Sequence, residues 1–458
     1  MKYDILVIGS GPGGYVAAIR AAQLGKKVAL VERAEPGGVC LNWGCIPTKA
    51  LLKSAQIYLN CASAAQYGIE LEGSVRPDLE KIVARSRTVA ETMSKGIRFL
   101  LDKNGIELIQ GFGRITAPGH VDVGGTDYEA DHILLATGAR PRELPFLPVD
   151  GEHILTSKQA LALTKLPQSL IVVGSGAIGS EFAWFYAALG VKVTLIEYLP
   201  RMMPLEDEEV SKTMERAFRK LRATVLTSTT VKQASVTPEG LCQVEIEGKK
   251  GPETLTAEIV LSAVGIQANI EGIGLEEVGV RIERGKIAVD ECYRTNVAGI
   301  YAIGDIVAGP ALAHVASAEG ICCVEHICGL NPQPVDYKTI PSCIFTVPEV
   351  ASVGLTEEQL REQSIAYKAG RFPFTASGKA TAAGDRDGFI KLLFGEDDRL
   401  LGAHMVGVHV TEMLDEPTLA KALGATAHRI ARTIHAHPTM YEGVMEAAEA
   451  ALGEAIHL

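Results

Sequence analysis

YDILVIGSGPGGYVAAIRAAQLGKKVALVER, residues 3–33, decides the fold. A short apolar run leads into a turn with Gly9, Gly11 and Gly14, then an alanine-rich stretch of helical character, then a second apolar strand that stops at Glu32. In this plan the glycines make a tight turn, let the backbone approach a pyrophosphate and bring helix against strand, while the helix N-terminus offers bare amides to the anion. The plan returns in SLIVVGSGAIGSEFAWFYAALGVKVTLIEY, residues 169–198, with Gly174, Gly176, Gly179 and Glu197. In both copies the acid follows the first glycine at the same offset, placed to accept hydrogen bonds from an adenosine ribose. One such fingerprint is weak, but two in full strand–turn–helix–strand context predict an α/β chain with two Rossmann-like dinucleotide-binding domains.

Directly after the first fingerprint comes GGVCLNWGCIPTK, residues 37–49, with Cys40 and Cys45 five positions apart. A five-residue step along a regular helix rises about 7.5 Å. That exceeds the roughly 4.4 to 6.8 Å between α-carbons that a disulfide allows, so a bonded pair needs a distorted turn. Gly37, Gly38 and Gly44 give the backbone that freedom, with Pro47 ahead of a helix expected through Thr48 to Lys53. The pair therefore reads as a redox dithiol. A nicotinamide moves hydride but does not conveniently reduce a disulfide, whereas a flavin exchanges electrons with a thiolate and accepts hydride. FAD accordingly belongs in the first fold, beside the cysteines, and NAD in the second. Glu197 would repel the additional phosphate of NADP, and Arg201 reads as a surface charge.

Composition narrows the class. At 458 residues the chain is long enough for about three domains. Lys and Arg total 44 against 55 Asp and Glu, with 5% aromatics and no basic run, which argues against a nucleic-acid surface. No apolar run approaches a membrane span, and MKYD leads into a run too short for a signal peptide. Nine scattered cysteines suit a reducing cytoplasm in which most stay thiols. Cys322, Cys323, His326 and Cys328 lack tetrahedral zinc spacing, so ICCVEHICG reads as a packed helix and no metal is expected.

Taken together, GGVCLNWGCIPTK, the double fingerprint, the ATG of Ala136 to Gly138, GIYAIGD ending at Asp305, and HAHPTMYE from His435 to Glu442 resemble the pyridine nucleotide-disulfide oxidoreductases, and among them the dihydrolipoamide dehydrogenase family. The resemblance runs from end to end. It implies an FAD domain over residues 1–145, an NAD domain over 146–265, a central segment over 266–335 that completes the FAD domain, and an α+β dimerisation domain over 336–458. The prolines at 141, 145 and 148 and the linker-like NPQPVDYKTIP agree with those boundaries. The resemblance further implies that Cys40 is the exposed interchange thiol and Cys45 the inner thiol that serves the flavin. Lys49 would lie by the flavin, paired with Glu181. His437 would be the acid–base residue, oriented by Glu442 and supplied by the neighbouring subunit of a homodimer, with His435 as scaffold. Thr137, Gly138, Gly304, Asp305 and Ala313 join Gly9, Gly11, Gly14, Glu32 and Lys49 as FAD contacts. Gly265 joins Gly174, Gly176, Gly179 and Glu197 at NAD.

The implied activity is oxidation of dihydrolipoyl groups, carried on a protein of a 2-oxoacid dehydrogenase or glycine-cleavage complex, through the Cys40–Cys45 disulfide and FAD to NAD. Two alternatives stand beside it: an NAD(P)H-dependent reductase of another small disulfide, and a mainly structural subunit of a larger assembly. The chain departs from the family at Trp43 and Tyr441, where smaller residues are common and a bulky ring could narrow the thiol channel or pack against a carrier. VGIQANI, after Val264, also lacks the arginines frequent there.

Overall fold

The computed structural model describes residues 2–458 and divides into two compact units. The first gathers the chain up to Ala50, Glu80–Arg142 and Gly265–Val335. Its seven-stranded sheet runs Glu107–Gln110, Val28–Glu32, Lys2–Ile8, Thr126–Leu135, His120–Val123, Gly113–Ala117, with Ile300–Ala302 also paired to Thr126–Leu135. Lys2–Ile8 pairs in parallel on both sides, Ile5 opposite Val28 and Leu6 opposite Ile133. Strands covered on both faces read as unbroken apolar runs, and Ile5, Leu6, Val7, Leu30 and Leu134 are all buried.

The helix Pro12–Gln23 has Gly11 at its N-cap and proline in its first turn, where the missing N–H costs nothing. Alanines 17, 18 and 21 on it are buried. In this unit Gly13 of that helix meets Gly320 of the helix Ala313–Ile327 so closely that a side chain at Gly320 would lie 2.8 Å from the Gly13 carbonyl oxygen. The exit of the chain at Arg142 and its return at Gly265 are stitched by two short antiparallel strands, Ala139–Pro141 and Ile266–Ala268. The Arg142 amide donates to the Gly265 carbonyl at 3.0 Å.

The second unit comprises Leu51–Leu79, Glu143–Val264 and Asp336–Leu458. It holds a second parallel sheet ordered Thr224–Leu226, Lys192–Ile196, Ser169–Val173, Ile259–Ser262, Ile154–Leu155. On it lies the helix Ala177–Ala188, whose Phe182, Trp184, Phe185 and Tyr186 are all buried. The C-terminal stretch forms a five-stranded antiparallel sheet, Pro341–Ile344, Glu349–Gly354, Leu400–Gly407, Phe389–Gly395, Tyr367–Pro373. The helix Glu442–Leu452 packs on that sheet where Gly370 leaves no room for a side chain, a Cβ there falling 1.8 Å from the Ala447 carbonyl oxygen. Within the unit the indole Nε1 of Trp184 donates to the Val347 carbonyl at 2.8 Å. Two doubly wound α/β folds and an α+β sheet are thus present, as the repeats and the last third of the sequence predict.

Candidate active site

The two fingerprints use their glycines alike. Gly9 and Gly174 sit at φ +103° and +100°, a conformation side chains disfavour. A Cβ on them would fall 2.3 Å from the Ala136 carbonyl oxygen and 2.4 Å from that of Ala263. The third glycines are tighter: Cβ atoms on Gly14 and Gly179 would lie 1.8 and 1.9 Å from the carbonyl oxygens of Gly9 and Gly174. At the middle glycines, Gly11 and Gly176, a Cβ would meet nothing within 4 Å. Open space in front of a bare helix N-terminus is the cradle a pyrophosphate requires, so the residues present fit both nucleotides.

The strand-end acids are held rather than loose. Glu32 accepts from the Ser10 amide (2.9 Å), the Ser10 hydroxyl (2.6 Å) and the Ala34 amide (2.8 Å). Glu197 accepts from the Ser175 amide (2.9 Å), the Ser175 hydroxyl (2.7 Å) and the Leu199 amide (2.8 Å). Both acids are buried, and these charge-assisted bonds aim them before a ribose arrives. Ser10 and Ser175, which hold these acids, were not singled out in the sequence. The signal was available, since the GSG triplet occurs in both fingerprints. Arg201 is not the surface charge expected: half-buried, it donates to the Pro204 carbonyl at 3.3 Å and lies 4.0 Å from Glu358.

The dithiol loop is pressed against the first fingerprint, where a Cβ on Gly38 would come 2.7 Å from the Gly11 α-carbon. Cys40 lies inside a short helix, Gly38–Trp43, and Cys45 opens a long one, Cys45–Ala62. The distortion between them is Gly44 alone, at φ −145° and ψ −116°, so the second helix starts three residues earlier than the sequence suggests. Thr48 caps the break with its hydroxyl on the Gly44 carbonyl at 2.7 Å. Asn42, another residue the sequence reading missed, staples the approach by donating to the carbonyls of Pro36 and Gly38, each at 3.0 Å.

Both cysteines stand as thiols. The hydrogen bond between the two thiols, then burial and the neighbouring charge of Cys45, push the Cys40 thiol far above its usual range, while Lys49 pulls it down. Exposure in the chain runs opposite to the expected order. Cys45 is exposed and Cys40 half-buried, because Cys40 packs into the core that includes Tyr15 and Leu41 while Cys45 begins a helix.

The remaining residues expected at FAD lie in the same unit. Thr137 and Asn269 exchange hydrogen bonds, the Thr137 hydroxyl donating to the Asn269 carbonyl at 2.6 Å and the Asn269 side chain to the Thr137 carbonyl at 3.0 Å. The Asn269 amide donates to the Gly138 carbonyl at 2.9 Å. After the strand Ile300–Ala302 the chain turns at Gly304–Ile306, with the Gly304 amide donating to the buried Glu319 at 2.6 Å. Burial raises the Asp305 carboxyl above its usual range, partly offset by Lys286, whose ammonium donates to the Asp305 carbonyl. Ala313 begins a helix with no side-chain cap. Cys322, Cys323 and His326 lie on that helix and Cys328 at its end.

In the second unit Glu181 is buried and accepts from the Phe345 amide at 3.0 Å, so the residue just past the strand Pro341–Ile344 fixes it. Gly265 lies at the return of the chain, at φ +106°.

The HAHPTMYE segment separates its two histidines. His435 uses both ring nitrogens, Nδ1 on the Thr433 carbonyl and Nε2 on Glu416, each at 2.8 Å. The Glu416 bond raises its pKa against the opposing effect of burial. His437 engages Glu442 through Nδ1 at 2.8 Å, and its side chain is 79% exposed. With Nδ1–H donated to the carboxylate, Nε2 is the basic nitrogen presented outward. Burial raises the Glu442 carboxyl, but the Thr439 amide and His437 outweigh it, so the group lies below its usual range and stays ionised.

Known proteins resemble this arrangement. The sequence profile of the pyridine nucleotide-disulphide oxidoreductases matches residues 3–320, and that of the family's dimerisation domain matches residues 340–448. The dihydrolipoyl dehydrogenase of Bacillus subtilis is 47% identical over 100% of this chain and 99% of its own length. That of Zymomonas mobilis is 47% identical over 99% of each. Dihydrolipoyl dehydrogenase 2, mitochondrial, of Arabidopsis thaliana is 40% identical over 99% of this chain and 91% of its own. Among solved structures, LpdA from Mycobacterium tuberculosis superposes with a TM-score of 0.90 at 29% identity, over 98% of this chain and 99% of that one.

Proposed function

The chain belongs to the pyridine nucleotide-disulphide oxidoreductase family, and from that premise we propose that it oxidises protein-bound dihydrolipoyl groups with NAD as the final acceptor. Full-length relatives at 47% identity are named dihydrolipoyl dehydrogenase. The observation that carries the reading is that one chain holds both a dithiol pressed on the first nucleotide cradle and, in its second unit, an exposed histidine backed by an ionised acid.

In this reading Gly9, Gly11, Gly14, Glu32, Lys49, Thr137, Gly138, Gly304, Asp305 and Ala313 hold FAD, and Gly174, Gly176, Gly179, Glu197 and Gly265 hold NAD. Bound in the first cleft, FAD supplies the link between sulfur and nicotinamide, accepting electrons from a thiolate and passing hydride to NAD. The rest is done by side chains. His437 takes a proton from the substrate dithiol at Nε2, and Glu442 stabilises the imidazolium formed. The substrate thiolate attacks Cys40, breaking the Cys40–Cys45 bond and leaving Cys45 as the thiolate; the second substrate sulfur then displaces Cys40, closing the substrate disulfide. Lys49 lowers the Cys40 thiol, and in this reading it stands by the flavin.

The dimerisation domain spans residues 340–448, and in this reading His437 serves the active site of the second copy in a homodimer. The carrier is a lipoyl-bearing protein of a 2-oxoacid dehydrogenase or glycine-cleavage complex. No helix among the described residues is long and apolar enough to cross a membrane, and we place the enzyme in the cytoplasm.

The test is a steady-state assay of the FAD-loaded protein with dihydrolipoamide and NAD, set against glutathione disulfide with NADPH. NADH formation should dominate. His437→Ala should lower it on the order of a thousandfold, while NADH-driven reduction of a one-electron acceptor persists. Preferential reduction of glutathione disulfide would overturn the assignment.

A further inference from the structure

Trp43 ends the helix Gly38–Trp43 and stands between the two cysteines. Over its indole lies the guanidinium of Arg87, 4.3 Å from the ring centroid, contributed by the long helix Leu79–Lys103. The Nε and Nη2 of Arg87 are buried and make no hydrogen bond. Burial lowers the Arg87 pKa, with Glu35 acting in the opposite sense. Two guanidinium nitrogens held from water without hydrogen-bond acceptors are unfavourable. What compensates here is an aromatic face, which attracts a cation more strongly as the pair is desolvated, and the charge of Glu35 in the loop before the dithiol.

The sulfur geometry depends on where Trp43 is held. Cys40 lies three residues before it on the same short helix, and only Gly44 separates it from Cys45. A glycine resists bending little by itself, so the direction from one cysteine to the other is set by what anchors the residue beside it. Neither Asn42 nor Thr48 reaches outside this loop, their bonds ending on Pro36, Gly38 and Gly44. Arg87 does, since it comes from another helix.

We propose that Arg87 and Trp43 form a clamp that holds Cys40 and Cys45 in a disulfide-ready arrangement and so sets the reduction potential of the pair. Both are positioning residues. The inference rests on the reading of this pair as the redox centre. Loosening the clamp lowers the effective concentration of one thiol at the other, which favours the dithiol; each tenfold loss raises the potential by about 30 mV.

The experiment equilibrates the FAD-loaded protein anaerobically in glutathione buffers of graded ratio and counts Cys40 and Cys45 thiols by alkylation and mass spectrometry. Arg87→Met and Trp43→Val should each shift the equilibrium three- to tenfold toward the dithiol. Arg87→Lys and Trp43→Phe, which keep a cation and a ring, should shift it less. The Arg87→Met, Trp43→Val double variant should shift it no further than the larger single change, since both break one contact. If Arg87→Met and Trp43→Val prevent folding, the two conservative variants decide alone, and a shift beyond twofold in either supports the clamp. A normal wild-type couple with variants unmoved within twofold, or single effects that add, overturns the clamp and leaves the redox pair standing. A wild-type pair that forms no disulfide at any ratio overturns both.

Discussion

Ser10 and Ser175 occupy the same place in the two fingerprints and hold their acids with hydroxyl bonds of 2.6 and 2.7 Å, yet each hydroxyl accepts from a different kind of neighbour. Ser10 receives the Gly37 amide at 3.2 Å, the first residue of the dithiol loop. Ser175 receives the Met203 amide at 3.1 Å, in the segment that leads to Glu206 and Asp207. From there the second half runs into a buried ion cluster, where Lys391, 3% exposed, pairs with Asp207 at 2.6 Å and Glu357 at 2.8 Å. The same nucleotide cradle is thus wired in one copy to sulfur and in the other to the C-terminal sheet. A duplicated fold acquires distinct chemistry through what its shared hub residue touches next.

The sharpest way to break this comparison is to spoil one cradle at a time. Gly14→Ala and Gly179→Ala each force a methyl against a carbonyl less than 2 Å away. Gly14→Ala should yield protein without bound flavin. Gly179→Ala should keep its flavin and its dithiol chemistry while NAD reduction falls on the order of a hundredfold. Flavin absorbance and turnover separate the two outcomes, and loss of flavin from both would deny the division of labour.

Next in size are the acids. Glu197→Arg should raise the KM for NAD about tenfold to a hundredfold and improve use of NADP, whereas Glu32→Ala should weaken FAD retention and leave the coenzyme preference alone. Smaller again are the hubs. Ser10→Ala and Ser175→Ala should each weaken their own nucleotide about fivefold, the cost of one hydrogen bond. Only Ser10→Ala should also alter thiol reactivity, measured by alkylation rate; an equal effect from Ser175→Ala would erase the distinction.

The smallest expected effect belongs to the second half's buried acid. Burial raises Glu206 from 4.5 to about 7. An acid whose folded pKa lies above its unfolded value contributes fully below pH 4.5, and that contribution is lost as pH rises to about 7. Thermal unfolding of Glu206→Gln should match wild type near pH 4 and run a few degrees higher at pH 8. A difference of the same size at both pH values would show that the proton plays no part.

What the sequence made legible was whatever a single residue dictates to its own backbone. The first glycine of each fingerprint is required by positive φ and the third by contacts under 2 Å, the two cysteines by their spacing around a glycine, and His437 with Glu442 by a short local reach. Features that need a distant partner stayed hidden. Nothing marks Lys391 as buried until Asp207, 184 positions away, is beside it. The stack of Arg87 on Trp43 and the bond from Phe345 to Glu181 are invisible for the same reason. Ser10 and Ser175 were hidden differently, since a serine between glycines looks like a spacer until its hydroxyl is located. The helix start at Cys45, ahead of Pro47, was missed because proline is tolerated in a first turn as readily as before it.

The central claim is that electrons pass between Cys45 and a flavin in the first cleft. Anaerobic two-electron reduction of the FAD-loaded protein by dihydrolipoamide or NADH, followed by absorption spectroscopy, tests it directly. A long-wavelength thiolate-to-flavin charge-transfer band should form in wild type, persist in NADH-reduced Cys40→Ser and be absent from Cys45→Ser. A band that survives loss of Cys45 but not of Cys40 would contradict the account.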